Sequence, residues 1–317
     1  MPHQTNRRTF LKGSLAASAV GALAACTGVA VNDATKPPAI INPPAPKDGL
    51  PMGAIKGLRV SRMLLGGNLL THFCHSRDLQ YVYNLTAHYN TEAKILETLA
   101  IAEANGINTV SMHNPPVPMS ILRKYRKQGG KIQWIICPTA DIAPGMEAYS
   151  REVKELINDG CDAIYLWGVR ADELIAPDKI EYMAKAVEIA KNHGVPSGVG
   201  CHDLRVVIEC EKNKIPCDFY IKTLHHHNYP SAKLNHDSMW CSNPEETAQV
   251  MKSVEKPWIA FKTMAAGAIP PPDAFRYSFD NGADHILVGM FDYEIAEDVQ
   301  IAKDVLANCN RTRPWRS

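Results

Sequence analysis

The chain has 317 residues, with 34 Lys and Arg against 33 Asp and Glu, and 45% of its residues are apolar. This length and charged fraction exclude a disordered or fibrous protein, and they suit either two small domains or one large barrel. The formal charge of +1 excludes a general electrostatic surface for nucleic acid or anionic membranes. Nine cysteines are too few for a disulfide scaffold of this length.

The first 25 residues have the features of an export signal. Arg7 and Arg8 precede an Ala- and Gly-rich stretch, residues 13–25, which contains no acid and is too short and weakly apolar to span a bilayer. The segment resembles a twin-arginine signal peptide, whose partner during export is the twin-arginine translocase. Residues 23–26 are similar to a lipobox, which implies that Cys26 is acylated after cleavage. We therefore predict a protein on the periplasmic side of a bacterial cell envelope, attached to the membrane through a lipid anchor alone.

Residues 26–50 follow the signal and are rich in proline, with proline pairs at 37–38 and 43–44. This composition predicts an extended tether between the anchor and the folded domain. Cleavage of the signal removes three basic residues and no acid, which leaves 31 basic against 33 acidic residues. The mature chain is therefore slightly acidic.

The remaining chain, residues 51–312, alternates short β-branched runs with longer segments of helical period. Strands that alternate with helices indicate a parallel sheet, and eight such units predict a single (β/α)8 TIM barrel of the α/β class. An open doubly wound sheet is the alternative, but the first predicted strand runs into Gly66-Gly67-Asn68 rather than a GxGxxG turn. The predicted strands cover residues 63–68, 108–113, 132–137, 163–167, 197–202, 219–225, 258–264 and 285–289.

Seven of the twelve histidines fall where predicted strands end, the edge at which barrel enzymes place their active sites. Neutral imidazole is the commonest metal ligand and the usual general base near neutral pH. A divalent metal (zinc, manganese or iron) is therefore predicted, held by some of His113, His202, His225 and His227, although their spacing matches no compact metal motif. Strand alternation allows only one face of the triplet at 225–227 to point inward, and it favours His225 and His227 as the inward pair.

Other side chains at this edge complete the predicted site. His113 and His202 are the predicted catalytic histidines, and Trp167 offers an apolar wall for a substrate. Lys262 lies in an apolar run, where a lysine is costly unless it is paired or catalytic. A Schiff-base role and a structural role are both open for this lysine.

The segment from 69 to 90 carries two more histidines, His72 and His75. It is long for a connection between a strand and a helix, and it is a candidate lid over the site. The residues support a functional role and an ordinary structural role for these two histidines equally.

Short motifs, in order along the barrel, resemble those of aldo-keto reductases. They lie at residues 57–67, 104–108, 198–202, 261–267 and 288–290. The resemblance implies a (β/α)8 fold and, in the family, NAD(P)-dependent reduction of a carbonyl group by a tetrad of Asp, Tyr, Lys and His.

The sequence departs from that tetrad at all four positions. Ser111 stands in place of the Asp, residues 115–117 cover the region of the Tyr, Cys137 or the following proline falls at the Lys, and Trp167 falls at the His. Loss of a tyrosine acid removes the proton donor for hydride transfer. The loop at 268–272 also lacks the basic residues that would hold an NADP phosphate.

Three functions are consistent with these residues. The leading prediction is an exported enzyme that uses a divalent metal and the histidines in lyase, isomerase or hydrolase chemistry on a sugar-like small molecule. In that scheme Lys262 or a histidine outside the metal site is the base, while Trp167 and Phe291 contact the sugar. One alternative is a divergent NAD(P)-dependent oxidoreductase with His113 as substitute acid. The other is a non-catalytic binding lipoprotein that uses the barrel as a scaffold.

Overall fold

The computed structural model describes residues 49–142, 145–176, 179–233 and 236–317. The predicted signal and most of the tether, with Arg7, Arg8 and Cys26, lie outside these residues. Eight parallel strands close into a barrel in chain order, and the last strand pairs with the first, which confirms the predicted fold. A short antiparallel hairpin precedes them. The hairpin strands are β1 (Met52–Ile55) and β2 (Leu58–Ser61), and the barrel strands are β3 (Met63–Gly66), β4 (Thr109–His113), β5 (Gln133–Cys137), β6 (Ala163–Leu166), β7 (Ser197–Cys201), β8 (Phe219–Thr223), β9 (Trp258–Phe261) and β10 (His285–Val288).

Helices surround the barrel, and one short helix lies in the segment that was expected to form a lid. None of the helices in the described part of the chain combines the length and apolar character that crossing a bilayer requires. The helices are α1 (Tyr81–Tyr89), α2 (Glu92–Ala104), α3 (Pro116–Lys127), α4 (Glu147–Asn158), α5 (Gly168–Glu173), α6 (Ile180–Asn192), α7 (Leu204–Lys212), α8 (Pro244–Ser253), α9 (Pro271–Asp280) and α10 (Ile295–Ala307).

Alternate residues of the strands fill the interior of the barrel, as the pleat of a strand requires. Phe219 and Tyr165 are two of the large buried side chains there, and glycines on β7 make room for them. A Cβ atom at Gly198 would lie 2.5 Å from the ring of Phe219, and one at Gly200 would lie 3.0 Å from the ring of Tyr165. Gly200 of this predicted motif therefore leaves room for the ring of Tyr165 at the mouth of the barrel.

The opposite end of the barrel is closed by the hairpin and by the last residues of the chain. Ile55 and Val60 of the hairpin are fully buried in the interior cluster. Arg313 is also fully buried; it forms a 2.6 Å ion pair with Asp284 and donates to the backbone carbonyls of Gly282 and Val254. The predicted barrel domain ends at residue 312. The chain beyond that residue also packs against the fold.

We expect the substitution Arg313→Met to lower the free energy of unfolding by about 3 kcal/mol. Removing one partner of a buried pair leaves the other charge uncompensated, which costs about 3–5 kcal/mol, and the lower end applies because Arg311 still lies 3.6 Å from Asp284. Urea unfolding measures the change. The control Lys185→Met removes an exposed pair with Glu181 and should change stability by less than about 1 kcal/mol.

Candidate active site

A cavity of about 120 Å³ opens at the carboxyl ends of the barrel strands, where the sequence analysis placed the site. Aromatic rings and imidazoles form most of its wall, and Lys262 is its one aliphatic amine among the described residues. We call this space the mouth cavity. Its functional side chains are Phe73, His75, His113, Tyr165, Trp167, His202, Trp240, Phe261 and Lys262.

His202 forms a hydrogen-bonded dyad with Asp172 on α5. The Nδ1 atom of His202 lies 2.7 Å from the carboxylate of Asp172, which also accepts from the backbone N–H groups of His202 and Asp203. An ionised carboxylate only accepts hydrogen bonds, so Nδ1 carries the proton and Nε2 is left as a basic nitrogen. Burial lowers the pKa of His202, against the opposing effect of Asp172, and this favours the neutral ring.

His75 forms a second dyad of the same design. Its Nδ1 atom lies 2.7 Å from the carboxylate of Asp237, and the second oxygen of that carboxylate accepts from the backbone N–H of Ser76. Burial lowers the pKa of His75 to about 4, and the nearby cation of Lys262 acts in the same direction. His75 of the predicted lid segment therefore lines the mouth cavity. His72 of the same segment instead donates a hydrogen bond to the backbone carbonyl of Asn90.

Trp240 stands between the two dyads. Its ring centre lies 4.9 Å from that of His75 and 5.0 Å from that of His202. The Nζ atom of Lys262 lies 3.8 Å from the centre of the same indole ring. Burial lowers the pKa of Lys262 to about 7, and Asp237 opposes this only in part. Lys262 is thus held over an aromatic face as a weakly basic amine.

His113 and Trp167, both predicted site residues, line the opposite wall of the mouth cavity. Their rings are nearly parallel, with an angle of 13° between the planes and 6.4 Å between the centres. Phe73 meets the His113 ring edge-on at 5.4 Å. Burial lowers the pKa of His113, so this ring is also predominantly neutral at pH 7.

The four histidines of the predicted metal site are not brought together. His225 accepts from the backbone N–H groups of Trp240 and Cys241 through Nε2, and its Nδ1 therefore donates to the carbonyl of His226. His227 donates to the carbonyl of Cys241. In residues 49–142, 145–176, 179–233 and 236–317, no group of three or more His, Cys, Asp or Glu side chains has the arrangement of a metal site.

The reason for this difference is the early end of a strand. The predicted sixth barrel strand runs to residue 225, but β8 ends at Thr223, so strand alternation does not govern the histidine triplet. His225 and His227 instead hold Trp240 and Cys241, in the loop segment of residues 236–243, against residues 224–233. Both ring nitrogens of His225 are engaged with the backbone and are not free to bind a metal ion, so the structure does not support the predicted ligand set.

Three of the four positions that correspond to the aldo-keto reductase tetrad, those of Ser111, Cys137 and Trp167, lie at the barrel mouth. Ser111 and Cys137 lie beside Tyr165, whose phenol interacts with both side chains. Burial raises the pKa of Tyr165 well above its ordinary value. A tyrosine is therefore present near these positions, but it comes from a different strand and is a weaker acid than free tyrosine.

A longer groove of about 440 Å³ adjoins the mouth cavity and runs towards α9 and α10. His75, Trp240 and Lys262 line both spaces. Within the described chain, neither the hydroxyl of Thr263 nor the indole N–H of Trp240 has a hydrogen-bond partner, although both are buried. Buried polar groups are rarely left unpaired in folded proteins, so the groove is a candidate ligand site.

The far end of the groove is acidic and poor in N–H donors. Glu294 and Asp298 line it, and burial together with neighbouring carboxylates raises the pKa of Asp298 to about 7. Pro270 caps α9, and the helix starts with two prolines at 271–272. Proline has no N–H, so this helix start lacks donors that a helix N-terminus normally offers to a phosphate.

Sequence reasoning missed three residues that the structure places in the site: Asp172, Asp237 and Trp240. Each lies in a loop or short helix after a barrel strand, and none belongs to a recognisable motif. Asp172 lies five residues after Trp167, a spacing that carries no chemical signal by itself. Only the folding of two loops across the mouth brings these carboxylates to the histidines.

Comparison with known proteins agrees with the export signal and with the fold. Residues 4–24 match the model of the twin-arginine translocation pathway signal sequence, so the chain carries a signal for export across the cytoplasmic membrane. No curated protein sequence matches this chain.

Among solved structures, the barrel is similar to aldo-keto reductases. A putative aldo-keto reductase from Pseudomonas aeruginosa is 19% identical, with a TM-score of 0.55 over 82% of this chain and 98% of that chain. The holo form of an aldo-keto reductase from Bacillus halodurans is 13% identical, with a TM-score of 0.57 over 80% and 91%. A Gox0644 mutant in complex with NADPH is 12% identical, with a TM-score of 0.54 over 84% and 95%. The chain is thus an exported protein with an aldo-keto-reductase-like (β/α)8 barrel.

We expect Lys262→Met to be more stable than the parent chain at pH 7, with a difference that shrinks as the pH rises. The pKa of Lys262 is about 7 in the folded protein against an ordinary 10.5. Between these values the unfolded chain holds a proton that the folded chain has lost, so the parent gains up to about 1.4 kcal/mol per pH unit. Urea unfolding at pH 7, 8 and 9 measures this trend. For the exposed control Lys212→Met, the free energies of unfolding of the parent and of the variant should change with pH in parallel.

Proposed function

We propose that the protein is an exported enzyme that moves protons on a small sugar-like carbonyl compound, as an isomerase or a lyase. The observation that carries this proposal is the pair of dyads, His202 with Asp172 and His75 with Asp237, at one cavity. Each dyad leaves Nε2 as the basic nitrogen of a neutral ring, which is the protonation state that a general base needs.

The two dyads suit the removal and return of a proton beside a carbonyl group. One imidazole takes a proton from the carbon next to the carbonyl, and the carboxylate behind it stabilises the imidazolium that forms. Asp172 and Asp237 also hold each ring in a single orientation through a 2.7 Å hydrogen bond. His113 lies across the cavity and serves as a further proton carrier in this scheme.

The shape and lining of the cavity support a sugar-like substrate. Trp167, Trp240 and Phe73 present apolar faces of the kind that pack against the C–H side of a sugar, while the imidazoles and Lys262 offer polar contacts. The mouth cavity of about 120 Å³ suits a reacting end of a few carbon atoms, and the groove has room for the rest of a longer molecule.

We expect the purified protein to catalyse exchange of deuterium from heavy water into the carbon next to the carbonyl of its substrate. A panel of aldoses, ketoses and 2-keto sugar acids of three to six carbons is suitable, with the exchange followed by proton NMR. His202→Ala should slow the exchange by about 10²–10⁴-fold, the usual contribution of a general base. His88→Ala is the matched control, because His88 is an exposed histidine of α1.

Two results would oppose the proposal. An absence of exchange with every member of the panel would leave a binding lipoprotein as the better description. Full exchange activity in His202→Ala and in a His75→Ala variant would show that neither dyad is the base.

A second candidate function, a nicotinamide-dependent oxidoreductase, is supported by the similar structure that binds NADPH. The groove is the part of this chain that would hold such a cofactor, with Thr263 and Trp240 offering unpaired polar groups. Its carboxylates and its proline-rich loop fit the anionic phosphates of a dinucleotide poorly. The residues of the groove therefore favour a neutral or cationic ligand, and we derive no hydride transfer through it.

Titration with NAD⁺ and NADP⁺ separates the two functions. We expect no change in tryptophan fluorescence at millimolar cofactor, because Glu294 and Asp298 repel the phosphates. Saturable quenching in the parent chain that is lost in Trp240→Phe would instead favour the oxidoreductase, since Trp240 lines the groove.

The membrane attachment also belongs to this proposal. The twin-arginine signal model ends at residue 24, two residues before Cys26, and the proline-rich tether follows. This order supports a lipid on Cys26 and a barrel held on the periplasmic side by that anchor alone.

A further inference from the structure

We propose that Lys262 forms a Schiff base with the carbonyl carbon of the substrate; this inference rests on the proposed function and names its covalent step. Lys262 lines both the mouth cavity and the groove. Its Nζ atom faces the ring of Trp240 at 3.8 Å, and within the described chain it donates no hydrogen bond and forms no ion pair. Lys222 of β8 differs, because its amine is tied to Thr223 by two hydrogen bonds.

The backbone is arranged to bring this amine into the cavity. Phe261, the last residue of β9, points into the barrel, so regular alternation would send the next side chain outward. Lys262 instead has a φ of 58°, and both residues line the mouth cavity. The left-handed conformation is unfavourable for a residue with a Cβ atom, and such residues concentrate at functional sites.

The surroundings of Lys262 provide what amine attack requires. Attack needs the free amine, and burial lowers the pKa of Lys262 to about 7, so both the amine and the ammonium are present at neutral pH. The two dyads stand beside the same indole ring as Lys262. In the proposed step their Nε2 atoms relay protons between the amine nitrogen and the carbonyl oxygen.

The step balances without a cofactor. Nζ forms a bond to the carbonyl carbon, and the carbon–oxygen double bond opens to give an amino alcohol. Loss of the oxygen as water then forms the carbon–nitrogen double bond. Starting from the ammonium form, two of its three protons leave in the water molecule and one stays on the iminium nitrogen. The resulting positive charge makes the neighbouring C–H bond acidic, which is the bond that a dyad histidine deprotonates.

Reductive trapping tests this inference on the intact mature protein. Pyruvate and glyceraldehyde, each with sodium cyanoborohydride at pH 7, would convert an iminium into a stable amine, and peptide mass spectrometry would locate it. We expect labelling at Lys262 to exceed that at any other lysine at least tenfold, and to increase between pH 6 and pH 8. Lys262→Arg keeps a cation at this position and should abolish the site-specific label.

Equal labelling of Lys262 and exposed lysines such as Lys212 would overturn the inference, as would an unchanged pattern in Lys262→Arg. Thermal unfolding of Lys262→Arg and of Lys262→Met shows whether either variant fails to fold. Deuterium exchange that persists in a folded Lys262→Met variant would leave the proposed function standing and exclude the Schiff base. Trapping at Lys262 in a protein that exchanges no deuterium would support the Schiff base and contradict the proposed function.

Discussion

Lys262 lies among aromatic rings at the mouth of the barrel, where water that would stabilise its charge is largely replaced by indole and phenyl faces. A poorly hydrated cation is energetically unfavourable, and this desolvation cost affects the protonation of Lys262 and of its neighbours. It lowers the pKa of Lys262 itself, and the Lys262 cation in turn helps to keep His75 and His202 neutral. Asp172 and Asp237 hold those rings in place through short hydrogen bonds. The site therefore combines neutral imidazoles, held by fixed carboxylates, with an amine whose pKa lies near neutral pH.

The histidines of the described barrel fall into two groups by their surroundings. His75, His113 and His202 line the cavity, whereas His225 and His227 fasten the loop that carries Trp240. A single buried imidazole, His225, accepts two backbone N–H groups and donates to a carbonyl, so it replaces several hydrogen bonds that a strand would have made. In the proposed function the cavity histidines act through their basicity, whereas His225 and His227 support the site through hydrogen bonds to the backbone.

The barrel has the fold of aldo-keto reductases, but we propose a different chemistry for the residues at its mouth. All four tetrad positions carry different residue types, and the groove ends in carboxylates and prolines. Folds of this kind hold their strands rigidly while the loops at one edge vary, so a change of loop residues changes the reaction without disturbing the core. Gly200, opposite Tyr165, shows how the core itself accommodates such a change, by leaving space for a ring at the mouth.

The export signal, the eight strands and their parallel order could all be predicted from the residues, because sequence motifs, hydrophobic periodicity and turn residues are local signals. The sequence also placed His113, His202, Trp167 and Lys262 at the carboxyl ends of the strands, and the structure places all four in the mouth cavity. The structure does not support the metal site predicted from His225 and His227, because one strand ends two residues early and the backbone then engages both nitrogens of His225 and Nε2 of His227. The carboxylates of Asp172 and Asp237 reach the histidines of the cavity, and the indole of Trp240 reaches the cavity itself, only when segments distant in sequence fold over the same barrel end. Contacts across 30 residues for His202 with Asp172 and 162 for His75 with Asp237 have no local sequence pattern, so only the tertiary structure could decide them.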